Sequence, residues 1–307
     1  MPTKLPPKPY KTVQQQLDTY KQRGLIVDDN NKKALGYLRT IGYYRLSGYA
    51  YVFRQVMPDG TVDNAFEPNS HFQDIKALYM FDKKLRQLAL DALERIEVAM
   101  RVRIADRLGS FDPLAHLDEQ YFDDKVRHAD WVARYEAVIA REKHSDFVKH
   151  HQQYYHDIPV WAGCELWDFG AMSILYKIMR RADKEAIAKY YRLPSAKLLE
   201  TQLHAFNLIR NISAHHGRLW NRHVVFKASL KGLEPEFQKF DPAKVLLYFC
   251  LMQRMLTFIC PNSTWGQRFL DTLDEFPQMS NNKVSLEQFG LPKSMSLADL
   301  KAWRLWR

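Results

Sequence analysis

The sequence predicts a mainly α-helical protein centred on one bundle, with an N-terminal helical subregion and one small hairpin. Three features predict it. The stretch from His71 to Leu108 holds neither proline nor glycine and keeps an apolar residue on every turn. Glycine is scarce, 12 in 307 residues, which disfavours a turn-rich β protein or a glycine-looped nucleotide fold. A third stretch, "DPAKVLLYFCLMQRMLTFIC", is apolar nearly all round, as a helix running through a core would be.

The elements follow in order. Residues 1–10 form a Pro/Lys-rich lead expected to be loose or extended. "KTVQQQLDTYKQRGL" spaces Val13, Leu17 and Tyr20 as a short helix ended by Gly24. The next segment places Leu35, Leu38, Ile41, Tyr44 and Leu46 on roughly one side, with a cap expected at Asp28, Asp29 or Asn30. The turn signal "PDG" at 58–60 predicts a hairpin between "YAYVFRQV" and "TVDNAF". One long helix over 71–108 has a stripe of Leu78, Phe81, Leu85, Leu88, Ala92, Ile96, Ala99 and Val102. Charged helical sequence follows over 118–155, then a helix from about 168, then "RADKEAIAKYY". "LPSAKLLETQLHAFNLIRNISAHH" has Ser195 as its cap and Leu198, Leu199, Leu203, Phe206 and Ile209 as its buried stripe. The last thirty residues read as a loosely structured tail. The expected division is a lead over 1–10, a helical and aromatic subregion over 11–70, a helical domain over 71–275 and a tail over 276–307.

The formal charge is +10 and the pI about 9.3, which favours polyanionic partners such as nucleic acid. No apolar run approaches the ~20 residues that span a bilayer, and the N-terminus lacks the apolar stretch of a secretory signal. Cys164, Cys250 and Cys260 are odd in number and lack CxxC spacing. A reducing cytoplasm is therefore expected, without a membrane or a disulfide framework.

"RNISAHHGRLWNR", residues 210–222, concentrates the chemistry. Asn211 and His215 lie four apart and share a helix face. Arg210 lies about 140° around an ideal helix from His215, a gap that a long side chain at a helix end can bridge. Imidazole moves protons near neutral pH, arginine grips phosphate bidentately, and asparagine can orient either. No metal or cofactor is needed when a ribose 2′-OH attacks its own phosphate. The alternative is a plain helix end in which His215 and His216 meet the helix dipole and Arg210 forms a surface ion pair. A metal on His215 and His216 is disfavoured, since adjacent histidines diverge on a helix and no carboxylate stands at ligand spacing.

"IRNISAHHGRLWNR" resembles the signature of the abortive-infection family of bacterial phage-defence proteins, the AbiD/AbiF-like group. Three further blocks resemble that family in the same order: "GYYRLSGYAYVFR", "FDKKLRQLALDALERIEVAMRVRI" and "PVWAGCELWDFGAMSILY". The family is similar to the HEPN superfamily of helical ribonucleases, which carry R-x4-6-H. The resemblance implies a HEPN-like bundle and a metal-independent endoribonuclease. Arg210, Asn211 and His215 would be catalytic, with His216 competing as R-x5-H. It implies cyclic or 3′-phosphate ends, a homodimer with a composite site, and a controlling antitoxin, either protein or small RNA.

Glu97 and Arg101 are spaced for a surface ion pair on the long helix, or for reaching the motif to hold its arginine or the RNA. Arg218, Asn221 and Arg222 can meet phosphates. Trp220 is either core or a stacking platform for a base. Lys177, Arg180 and Arg181 open a stretch with six Lys/Arg against two acids, either a second RNA contact or a solvated face. The "GYYRLSGYAYVF" block suits packing better than stacking on RNA. The competing function is a non-catalytic RNA-binding or interaction module on the same basic surface.

Overall fold

Residues 7–27 and 31–306 are described by the structure, a computed structural model. The elements run α1 Val13–Gln22, α2 Lys32–Thr40, α3 Tyr43–Ala50, β1 Arg54–Val56, β2 Val62–Phe66, α4 Phe72–Gly109, α5 Lys125–Arg141, α6 Asp146–Tyr154, α7 Val160–Gly163, α8 Phe169–Ile178, α9 Arg181–Tyr190, α10 Ala196–Ala214, α11 Val245–Ile259, α12 Trp265–Asp274, α13 Leu286–Phe289 and α14 Leu297–Ala302. Among the described residues the fold is all-α apart from one antiparallel hairpin. No described helix is long and apolar enough to cross a membrane.

The chain divides into two compact units. The first comprises residues 1–85 and 271–288, the second 86–270 and 289–307. Residues 72–85 of α4 belong to the first unit and residues 86–109 to the second.

In the first unit α1 begins with a capping box, Thr12 accepting from the Gln15 N–H while the Gln15 side chain accepts from Thr12. Tyr20 is fully buried, its ring 4.7 Å from Tyr43 and 6.0 Å from Phe66. The cap expected at residues 28–30 lies outside the described residues. The single stripe expected through Tyr44 is broken. Gly42 takes φ 90° and separates α2 from α3, so Leu38 and Leu46 are buried while Tyr44 is 92 % exposed. The hairpin pairs Arg54 with Phe66 and Val56 with Val62. Its first strand is shorter than expected because Tyr43–Phe53 stays helical. Tyr49 is buried and donates to Asp82 Oδ2 (2.5 Å), so this aromatic is packing.

In the second unit α11 is buried at every position from Val245 to Leu256, and the α10 stripe is buried as expected. On α4 the stripe differs at its end. Burial steps by four through Ala92, Ile96, Met100, Ile104 and Leu108, which leaves Val102 52 % exposed. Trp265 Nε1 donates to Leu88 O (2.9 Å), fastening α12 to α4. The expected loose tail is instead packed. Phe289 and Leu300 are fully buried, and Trp303 stands 4.7 Å from Phe237.

Candidate active site

α10 carries the motif. Ser195 caps its start, accepting from the Leu198 N–H. Its buried stripe fixes the helix's rotation, and that rotation leaves Arg210 half-buried and Asn211 exposed. Arg210 Nη1 donates to Asn211 Oδ1 (3.3 Å).

The helix end is a Schellman motif with an unexpected occupant. His215 is the terminal cap. The His216 N–H bonds Ser213 O (3.1 Å) and the Gly217 N–H bonds Ile212 O (2.8 Å). The left-handed position of the motif, most often a glycine, is taken by His216, at φ 57°. Gly217 serves close approach instead: a Cβ there would lie 3.1 Å from Ile212 Cγ2 and 3.2 Å from Ile212 O. Arg86 of α4 reaches the Gly217 carbonyl (3.4 Å). His215 and His216 are both exposed and take backbone conformations of opposite hand.

α4 brings Glu97 and Arg101 beside this helix. The two form an ion pair with both side chains mostly buried. Burial raises the Glu97 carboxyl above the usual carboxylate range. Arg101 and Arg210 pull against that rise, and Asp168 and Glu94 add to it. The charges of Arg101, Arg210 and Asp168 thus all sit within range of Glu97. The pair is no solvated surface bridge: Arg101 Nε is closed from solvent with no hydrogen-bond partner among the described residues.

The remaining expected residues divide. Arg222 is exposed, while Arg218 and Asn221 are half-buried. Trp220 is fully buried, which corrects its role as an RNA-stacking platform, because Leu219, Trp220 and Val224 carry the chain back into the core. Lys177 and Arg181 are exposed. Arg180 is occupied structurally, donating to Gln120 O with its guanidinium 5.2 Å from the Tyr121 ring centroid.

Beside the motif, α5, α8 and α10 enclose a groove of about 1010 Å³. Lys177 lines it, as do Arg134, His204, Asn207 and Lys227, none of which stood out in the sequence. The available signal was Arg127, Arg134 and Arg141 at seven-residue spacing, one face of a helix. His204 is held below the usual histidine range by burial and by the Lys177 charge.

A family model for Abi-like proteins matches residues 36–221, from α2 through the end of "RNISAHHGRLWN". The chain belongs to the Abi-like family. Membership supports a role in abortive infection, a form of phage defence. No curated protein and no solved structure matches the chain. In this Abi-like protein the matched region contains α4, α8 and α10 entire, and so every member of the Glu97–Arg101–Arg210 cluster.

Proposed function

We propose that this Abi-like protein is a metal-independent endoribonuclease toxin of the HEPN type, acting through Arg210, Asn211 and His215. The observation that carries the reading is the helix end: Arg210 lies half-buried beside the Glu97–Arg101 pair, with His215 exposed at the end of the same helix. A buried ion pair alongside an arginine restricts where its guanidinium can go, and a fixed guanidinium suits a phosphate whose charge grows during reaction. His215 takes the proton of a ribose 2′-OH as that oxygen attacks phosphorus. The P–O5′ bond breaks, and the leaving oxygen takes a proton from a second imidazole, His215 of another copy in a homodimer. The products are a 2′,3′-cyclic phosphate and a 5′-hydroxyl. An antitoxin, protein or RNA, would restrain such an activity in the cell.

The test is cleavage of RNA in EDTA by wild type, His215→Ala and His216→Ala, with the product ends identified. His215→Ala is expected to lose about 10²–10⁴-fold in rate with binding largely kept. Equal cutting by wild type and His215→Ala would remove His215 from the mechanism. A non-catalytic RNA-binding module is the second reading, favoured by the cationic groove beside the motif. It requires tight RNA binding with no cutting by any variant.

A further inference from the structure

We propose that the groove between α5, α8 and α10 is a binding channel for single-stranded RNA that delivers the strand to Arg210. Its choice of RNA rests on the ribonuclease reading, while the groove's charge and shape are independent of it.

Six cations line the groove against three carboxylates. Two of the carboxylates are engaged: Asp168 accepts from the Ala171 N–H to cap α8 (2.7 Å), and Glu200 pairs with Lys197 (2.8 Å). Arg134, Lys177 and Lys227 are exposed and form no ion pair with a described residue. Arg127 and Arg141 pair with Asp124 and Glu142, so Arg134, Lys177 and Lys227 carry the excess positive charge, and a cationic trough in low-dielectric walls concentrates anions. The α5 arginines repeat every two turns over ~20 Å of the helix, a length of several nucleotides, with the unpaired Arg134 at the middle of the row.

An aromatic face accompanies the charge. Phe226 is 51 % exposed, and His204 backs it edge-on at 4.2 Å. Phosphate-binding cations beside an exposed ring are what an unpaired strand uses, since its bases can leave their stack. A duplex keeps its bases stacked on each other and gains nothing from Phe226. The groove also leads toward the motif. Asn207 lines it one turn before Arg210 and Asn211, and Asp168 at its rim acts on Glu97.

The experiment measures binding of a fluorescent single-stranded RNA to full-length His215→Ala protein over a range of salt. The groove variant adds Arg134→Glu, Lys177→Glu and Lys227→Glu. A control adds Lys143→Glu, Lys149→Glu and Lys293→Glu, exposed residues that lie outside the groove. We expect the groove variant to bind at least ~10-fold more weakly, with a log–log salt slope shallower by about 2, and the control to change little. Phe226→Ala is expected to weaken binding about tenfold with the slope unchanged. Equal loss in the two triple variants overturns the proposal, as does unchanged binding by the groove variant. Duplex RNA bound as tightly as single strands, or full competition by a mononucleotide, overturns it also. Failure of the ribonuclease reading appears separately, as wild type that does not cut while the groove still governs binding.

Discussion

His116 shows how far one residue's surroundings can govern stability. It is fully buried, with rings of Tyr135, Trp131 and Trp167 within 5.4–6.4 Å, and neither ring nitrogen has a hydrogen-bond partner among the described residues. Burial first, and the neighbouring His128 second, lower its pKa from 6.5 to about 4. Folded, the ring stays neutral; unfolded, it takes up a proton below about 6.5. Its contribution is therefore present above that pH and is lost as pH falls through about 4. The full difference is on the order of 3 kcal/mol. We expect the melting temperature of wild type to fall between pH 7 and pH 4 more steeply than that of His116→Phe, whatever the variant's stability at pH 7. Parallel pH profiles would contradict the assignment. Glu97 has the opposite sign of shift, raised by burial, so its ionised form weakens the fold at neutral pH while holding charge beside Arg210. That is the pattern expected where position matters more than stability.

At the scale of elements, α7 is set by one contact. A Cβ on Gly163 would lie 2.3 Å from Tyr135 Oη, and that ring cannot yield because Trp131 stacks on it at 5.4 Å. Gly163→Ala is expected to cost about 1–3 kcal/mol, read as a lower urea midpoint. Tyr135→Phe should recover most of the loss, since Tyr135 Oη has no described partner and the next atom is 3.3 Å away. Ser195→Ala, which removes the cap of α10, should cost ~1 kcal/mol. These elements also show what a sequence can and cannot disclose. Helices α4, α10 and α11 were legible because their apolar patterns persist over many turns. The break at Gly42, the packed segment after residue 276 and the left-handed His216 were not. A positive φ depends on what the next residues must reach, and the short final helices hold their place through Phe249, Phe269 and Phe237 far away in the chain.

At the scale of the whole molecule, the candidate site was half legible. Arg210, Asn211 and His215 stand within six residues, and Glu97 with Arg101 shows as an i,i+4 pair. The groove was hidden because α5, α8 and α10 meet only in three dimensions. Only one helix-borne R-x4-H, Arg210 to His215, is present per chain, the same spacing at Arg218 to His223 lying past the end of α10, and this has a consequence for assembly. If the reacting phosphate needs one imidazole to take a proton and another to return it, a single chain holds half a site. The two copies must then meet through the exposed end of α10, with isologous symmetry. Mixing separates this from a self-sufficient chain. Wild type and His215→Ala subunits are unfolded together, refolded at varied ratios and assayed for RNA cleavage. A self-sufficient chain gives activity proportional to the wild-type fraction. A composite site gives activity proportional to its square, so roughly a quarter remains at an equal mixture rather than about half. The measurement needs no knowledge of the RNA target, and a linear response would place both proton transfers within one chain.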